Sequence, residues 1–133
     1  MQDFKYLLVW QKSHALTLAI YQVTRHFPKE EICALTSQLR RAAASVPANI
    51  AEECGRGSDP EFARFLQMAM GSASELEYHL LSAHDLKYLD KESFNQLSSQ
   101  DVEVKRMLAS LLGRIKGGQR RLKAESCKLR ALC

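Results

Sequence analysis

The chain has 133 residues, 46% of them hydrophobic and 26% charged, a length and balance that fit one globular domain and exclude a disordered or multidomain chain. No run of roughly 18 apolar residues is present, which excludes a helical membrane span, and 3 prolines and 6 glycines argue against long linkers. The net charge of +4 is unevenly spread: residues 1–104 hold 10 Lys and Arg against 14 Asp and Glu, whereas residues 105–133 hold nine basic residues and one acid, Glu125.

The opening MQDFKYLLVWQKSH has no small-residue cleavage site after a clean apolar stretch and predicts no signal peptide. A first helix is predicted over residues 4–27, with Asp3 as N-cap. Phe4, Leu8, Ala15, Ala19, Val23 and Phe27 form one apolar face, and Val9, Leu16 and Ile20 a second strip beside it. Two apolar strips on one helix are more than an isolated bundle needs and predict a partner subunit. Pro28 closes this helix, and Glu30 and Glu31 suit the first turn of the next.

The second helix is predicted over residues 30–54. Leu35, Leu39, Ala42, Val46 and Ile50 make its apolar stripe, while Gln38, Arg41, Ser45, Asn49, Glu52 and Arg56 recur as a polar stripe. Ala43, Ala44 and Ala48 lie between the two, and a second small-residue patch, Ala69, Gly71, Ser72, Ala73 and Ser74, predicts close approach of the second and third helices. Pro47 lacks an N–H and crowds the carbonyl of Ala43, so a kink is expected there. The freed carbonyl needs a donor from Ser45, Asn49 or another helix. Arg41 and Glu52 are three turns apart and each needs a partner from another helix or subunit. The polar stripe reads as an assembly surface shaped by the kink, or equally as a solvated face.

Gly55 and Gly57 are expected to stop the second helix, with Asp59 and Pro60 starting a third over residues 60–89. Its apolar period runs through Phe62, Phe65, Leu66, Ala69, Ala73, Leu76, Leu80 and Ala83. Asp90 caps a fourth helix carrying Phe94, Leu97, Val104, Leu108, Leu111 and Ile115, which Gly117-Gly118 is expected to end. The division is a bundle over residues 1–117 and a basic extension over 118–133. Short connections and the lack of alternating strand patterns predict an all-α, up-down-up-down antiparallel four-helix bundle.

Cys33, Cys54, Cys127 and Cys133 form no C-x-x-C pair and read as reduced thiols of a cytoplasmic protein. His14, His26, His79 and His84 are isolated. Glu75 and His79, four apart, read as a surface pair because two ligands are not a metal site. Ser82, His84 and Asp85 point in different directions along a helix and cannot form a triad. No catalytic motif and no cofactor signature is present. Lys105, Arg106, Arg114, Lys116, Arg120, Arg121 and Lys123 form a basic cluster suited to nucleic-acid phosphates, with a solvated helix and tail as the plainer reading. No aromatic residue follows Phe94, so base stacking from this region is not expected.

Three blocks, DFKYLLVWQKSHAL, LTSQLRRAAASVPANIAE and EFARFLQMAMGSASELE, together resemble the bacterial 23S rRNA intervening-sequence proteins. The likeness covers about residues 4–90 in order, and departs at Glu53, where that family carries glycine. It implies a left-handed four-helix bundle assembled into a ring, usually a pentamer with a central channel, and no known catalytic activity. A related branch, the accessory variability determinants of diversity-generating retroelements, implies a basic pentamer that binds a reverse transcriptase and nucleic acid. The retained N-I-A-E block resembles the intervening-sequence branch more closely. The expected function is a non-enzymatic homo-oligomeric scaffold binding RNA or DNA weakly. The alternative is an adaptor for a reverse transcriptase or ribosomal component that does not touch nucleic acid itself.

Overall fold

The computed structural model describes residues 3–54 and 59–131; the side chains of residues 59, 60, 116 and 118–131 lie outside that description. Four helices make up the fold: α1 (Leu8–Thr24), α2 (Leu35–Cys54), α3 (Asp59–Asp85) and α4 (Lys91–Ala131). Short 3-10 turns at Phe4–Tyr6 and Lys29–Glu31 precede α1 and α2, and no strand occurs among the described residues. Packing runs α1 against α2, α2 against α3, α3 against α4 and α4 back against α1, which closes an antiparallel four-helix bundle.

The first helix is shorter than its sequence predicts. Leu7 is extended (φ −79°, ψ 125°) and splits the Phe4–Tyr6 turn from α1. Asp3 therefore caps that turn, its Oδ1 accepting from Lys5 N at 3.0 Å. The face that enters the core also differs. Val9, Leu16 and Ile20 are buried, whereas Leu8 and Leu18 are exposed. Ser13, Thr17 and Thr24 fill the remaining core-facing positions. Each hydroxyl donates to a carbonyl of its own helix: Ser13 to Trp10 O (3.0 Å), Thr17 to Ser13 O (2.9 Å) and Thr24 to Ile20 O (2.7 Å). Self-satisfied hydroxyls can be buried at little cost, and burying them leaves the leucines outside.

On α2 the apolar stripe behaves as its spacing predicts, with Leu39, Ala42, Val46 and Ile50 almost fully buried. Pro47 lies inside the helix and is itself buried. The carbonyl it deprives of a donor, Ala43 O, accepts from Thr17 Oγ1 of α1 at 3.0 Å. The missing hydrogen bond is thus made good by a neighbouring helix, through a hydroxyl whose single proton is shared with Ser13 O. Arg40 ties the same two helices lower down, donating from Nε to Thr24 Oγ1 at 2.9 Å and lying 4.9 Å from the Tyr21 ring centroid.

Between α2 and α3 the small residues do meet: Ala43, Ala69 and Ala73 are buried, and the Ser45 and Ser72 hydroxyls lie 2.9 Å apart. Gly71, grouped with that patch on sequence, is exposed, and a Cβ there would touch nothing within 4 Å. The third helix ends at Asp85, earlier than its pattern suggests. Lys87 takes a left-handed conformation (φ 67°), and Tyr88 N and Lys87 N donate to Ala83 O and His84 O, both at 2.9 Å. This is a Schellman closure with lysine where glycine is usual. The cap expected of Asp90 is present: its Oδ1 accepts from Ser93 N at 2.7 Å.

The last helix departs furthest from expectation. Gly117 and Gly118 do not end it; α4 is one helix of 41 residues to Ala131, about 62 Å at 1.5 Å per residue. Glycine lowers helix propensity by about 1 kcal/mol without forbidding the conformation, and strong helix formers follow it in QRRLKAE. The loop at residues 55–58, with Gly55 and Gly57, and the side chain of Asp59 lie outside the described residues.

Candidate functional site

Two surfaces gather the polar residues singled out by sequence. The first runs along the α2–α3 seam. Arg41 Nη2 donates to Gln38 Oε1 at 2.8 Å on its own helix and to Glu75 Oε1 on α3. His79 Nε2 lies 3.2 Å from the same Glu75 oxygen. Asn49 Nδ2 donates to Ser45 O (2.7 Å) and Ser45 Oγ (3.1 Å), and Ser45 reaches Ser72. The partner that Arg41 needs is therefore Glu75, and the Glu75–His79 pair is part of this ladder. Partial burial works against the Glu75 charge, but the His79 hydrogen bond and the Arg41 guanidinium hold its carboxyl below the usual range.

Depth along the ladder varies. Asn49 is buried, Ser45 and Ser72 are half-buried, and the Arg41 side chain is 52% exposed. An ion pair so exposed is worth about 0–1 kcal/mol. We therefore expect Arg41→Ala to lower stability by no more than that in a urea melt of the full chain at micromolar concentration. A loss of roughly 3–5 kcal/mol would show that Arg41 is buried against another subunit. Glu52 is exposed near the end of α2, and Arg56 lies outside the described residues.

The second surface is the basic part of α4. Lys105 donates from Nζ to Glu77 Oε2 on α3 at 2.6 Å, so its charge is held against the bundle. Arg106 and Arg114 are exposed. They line a groove of about 420 Å³ with Leu7, Leu8 and Val9 across from Met107, Ser110 and Leu111. On the same pair of helices Lys12 Nζ and Glu103 Oε1 lie 3.4 Å apart. The side chains of Lys116, Arg120, Arg121 and Lys123 lie outside the described residues, although their backbone is helical.

One titratable residue that the sequence pattern did not single out stands apart. Asp101 is 0% exposed, and neither carboxylate oxygen has a hydrogen-bond partner among the described residues. Burial pushes its pKa up to about 7; the charge of Lys105 opposes this and that of Glu77 adds to it. The signal was available, because Asp101 falls between Leu97, Val104 and Leu108 at core spacing. Cys54 is also buried, and desolvation followed by the charges of Glu53 and Asp3 raises its pKa, keeping it a thiol. Glu53 itself is buried at the end of α2. Among the described residues no cluster of three or more His, Cys, Asp or Glu could hold a metal, and no helix is long and apolar enough to cross a membrane.

A family model described as 23S rRNA-intervening sequence protein matches residues 5–110. A solved structure from Bacteroides thetaiotaomicron VPI-5482, described as a protein with unknown function from the S23 ribosomal protein family, superposes with a TM-score of 0.74. The two are 24% identical, with 79% of this chain and 98% of that one covered, a likeness that establishes the fold alone. No functionally curated protein matches the chain.

Proposed function

The chain belongs to the 23S rRNA-intervening sequence protein family, and from that premise we propose that it is a non-enzymatic, homo-oligomeric scaffold of the cytoplasm that binds RNA or DNA weakly through α4. The observation that carries this reading is the continuity of α4 through Gly117 and Gly118. Nine basic residues between Lys105 and Arg130, with one acid among them, belong to one helix and not to a loose tail. A helical backbone repeats the residues that carry these charges at about 1.5 Å of rise each, which costs less ordering entropy on binding than a loose tail would.

What supports self-association is apolar surface left over after the core is filled. Tyr78, 64% exposed, lines a groove of about 400 Å³ between α3 and α4 with Leu81, Phe94 and Val102, while Leu18 and Tyr21 are exposed on α1. Apolar patches on two different faces suit a head-to-tail contact, which closes into a ring when the rotation allows. In this reading the ring is a pentamer, and a bend at Pro47 shapes the α2 side of the contact. The Tyr78 face would equally seat a reverse transcriptase or ribosomal component, which is the second reading.

Sedimentation at micromolar concentration should give a species near five chains; a monomer would remove the assembly part of the proposal. Fluorescence anisotropy with generic RNA should show binding at low salt that weakens steeply at physiological salt, by about 0.7–0.9 in log–log slope per phosphate neutralised. Replacing Arg120, Arg121 and Lys123 together by serine should abolish it. An absence of binding at low salt, with the assembly intact, would favour the adaptor.

A further inference from the structure

Two grooves flank α4, and their linings are complementary. The first lies between α1 and α4, where Leu7, Leu8 and Val9 face Met107 and Leu111, with Arg106 and Arg114 on the α4 wall. Both arginines are exposed, and neither has an ion-pair or hydrogen-bond partner among the described residues. Two neighbouring cations are already matched, Lys12 by Glu103 and Lys105 by Glu77. Among the described residues no acid lines this groove. The second groove lies between α3 and α4, where the exposed Tyr78 and Leu81 stand beside Phe94 and Val102. Glu77 lines it too; Lys105 takes one of its oxygens and leaves the side chain 52% exposed. Asp85, one turn beyond Leu81, is exposed as well. The charge spacings agree: Arg106 and Arg114 are eight residues apart on α4, and Glu77 and Asp85 are eight apart on α3, about 12 Å in each case. Just over two turns separate each pair, so each falls along one side of its helix, with Met107 and Leu111 inside one interval and Tyr78 and Leu81 inside the other.

We propose that the α3–α4 groove of one copy of this chain docks on the α1–α4 groove of a second copy, setting Tyr78 and Leu81 against Leu8, Met107 and Leu111, and Glu77 and Asp85 opposite Arg106 and Arg114. It rests on the self-association reading above and names the two faces that meet. The exposed leucines and Tyr78 leave water on docking, which supplies the drive. The charges supply register and choice of partner: the arginine groove set against its own copy would oppose cation to cation, and the acidic groove acid to acid. The two faces differ and lie on opposite flanks of α4, so the contact is head-to-tail and every copy has one of each to offer. Arg106 and Arg114 then serve assembly, and the basic residues from Lys116 onward are left for phosphates.

The test is sedimentation of the full chain and two double variants at micromolar concentration. Arg106→Glu with Arg114→Glu sets acid against acid and should give a monomer. Tyr78→Ser with Leu81→Ser strips the apolar part of the other face and should also give a monomer. All four side chains are exposed, so these variants fold, and circular dichroism should show the helix content of the parent. Mixed in equal amounts, each variant supplies the face that the other lacks, and the mixture should form a dimer and nothing larger. A purely structural effect of either change would not be repaired by mixing. Assembly of parental size in either variant, or a mixture that stays monomeric, would overturn this contact and leave self-association standing. A parent chain that is itself a monomer would overturn both.

Discussion

Raising the pH from about 5 to about 8 is expected to destabilise the bundle by roughly 3 kcal/mol, and Asp101→Leu to remove that loss. On folding, Asp101 leaves water for a core position on α4, and its pKa rises from 3.8 to about 7. The folded chain therefore holds this proton more tightly than the unfolded chain. The stabilisation is complete below 3.8 and is lost as pH rises to about 7, at roughly 1.4 kcal/mol per pH unit. Lys105, the nearest cation, is hydrogen-bonded to Glu77 and so offsets the buried charge only in part. The other shifted carboxyls act elsewhere: Glu75 and Asp90 have lowered pKa values, so what they contribute is lost only as the solution becomes strongly acidic. Urea melts at the two pH values check the expectation. Stability that is equal or higher at pH 8, or an Asp101→Leu chain with the same pH dependence as the parent, would contradict it.

Thr17→Val should cost about 1–3 kcal/mol, the penalty of leaving a buried carbonyl without a donor. Valine matches threonine in shape, so packing is nearly conserved and the loss reports the hydroxyl. That hydroxyl matters because Pro47 cannot serve Ala43 O. Pro47→Ala restores the helical N–H and should make the Thr17→Val change much milder, a coupling readable in a double-mutant cycle. Thr17→Ser keeps the donor and should stay close to the parent. Additive losses in the double variant would mean that Thr17 acts through packing and not through the carbonyl.

Elements with a strong apolar period are legible in the sequence itself. On α2 and α3 the apolar residues recur at three and four, and all but Leu35 and Phe62 of the residues assigned to those stripes are buried. The Asp90 cap and the need of Ala43 O for a donor follow from local chemistry in the same way. The polar stripe of α2 is legible as a stripe, and the structure adds its partners Ser72 and Glu75, which stand 27 and 34 residues away from Ser45 and Arg41 in the chain.

Other features were decided at a distance. Which strip of α1 faces inward turned on Ser13, Thr17 and Thr24, whose hydroxyls close their own hydrogen bonds and so tolerate burial, while Leu8 and Leu18 remain outside. A period of apolar letters cannot register that, because the cost of burying a hydroxyl depends on which acceptor lies nearby. Asp101 is the same case with a charge: only the closing of α1 and α3 over α4 removes its water. Gly117-Gly118 read as a stop because glycine is a weak helix former, yet helix formers on both sides carry α4 through it. The groove that sets Leu7, Leu8 and Val9 beside Arg106 and Arg114 joins segments about a hundred residues apart. By itself the sequence determined four helices, their order and most of the core, since those rest on local periodicity. The tertiary structure alone decided which polar groups are dry and which surfaces become neighbours, since both depend on what the rest of the chain brings to the same place.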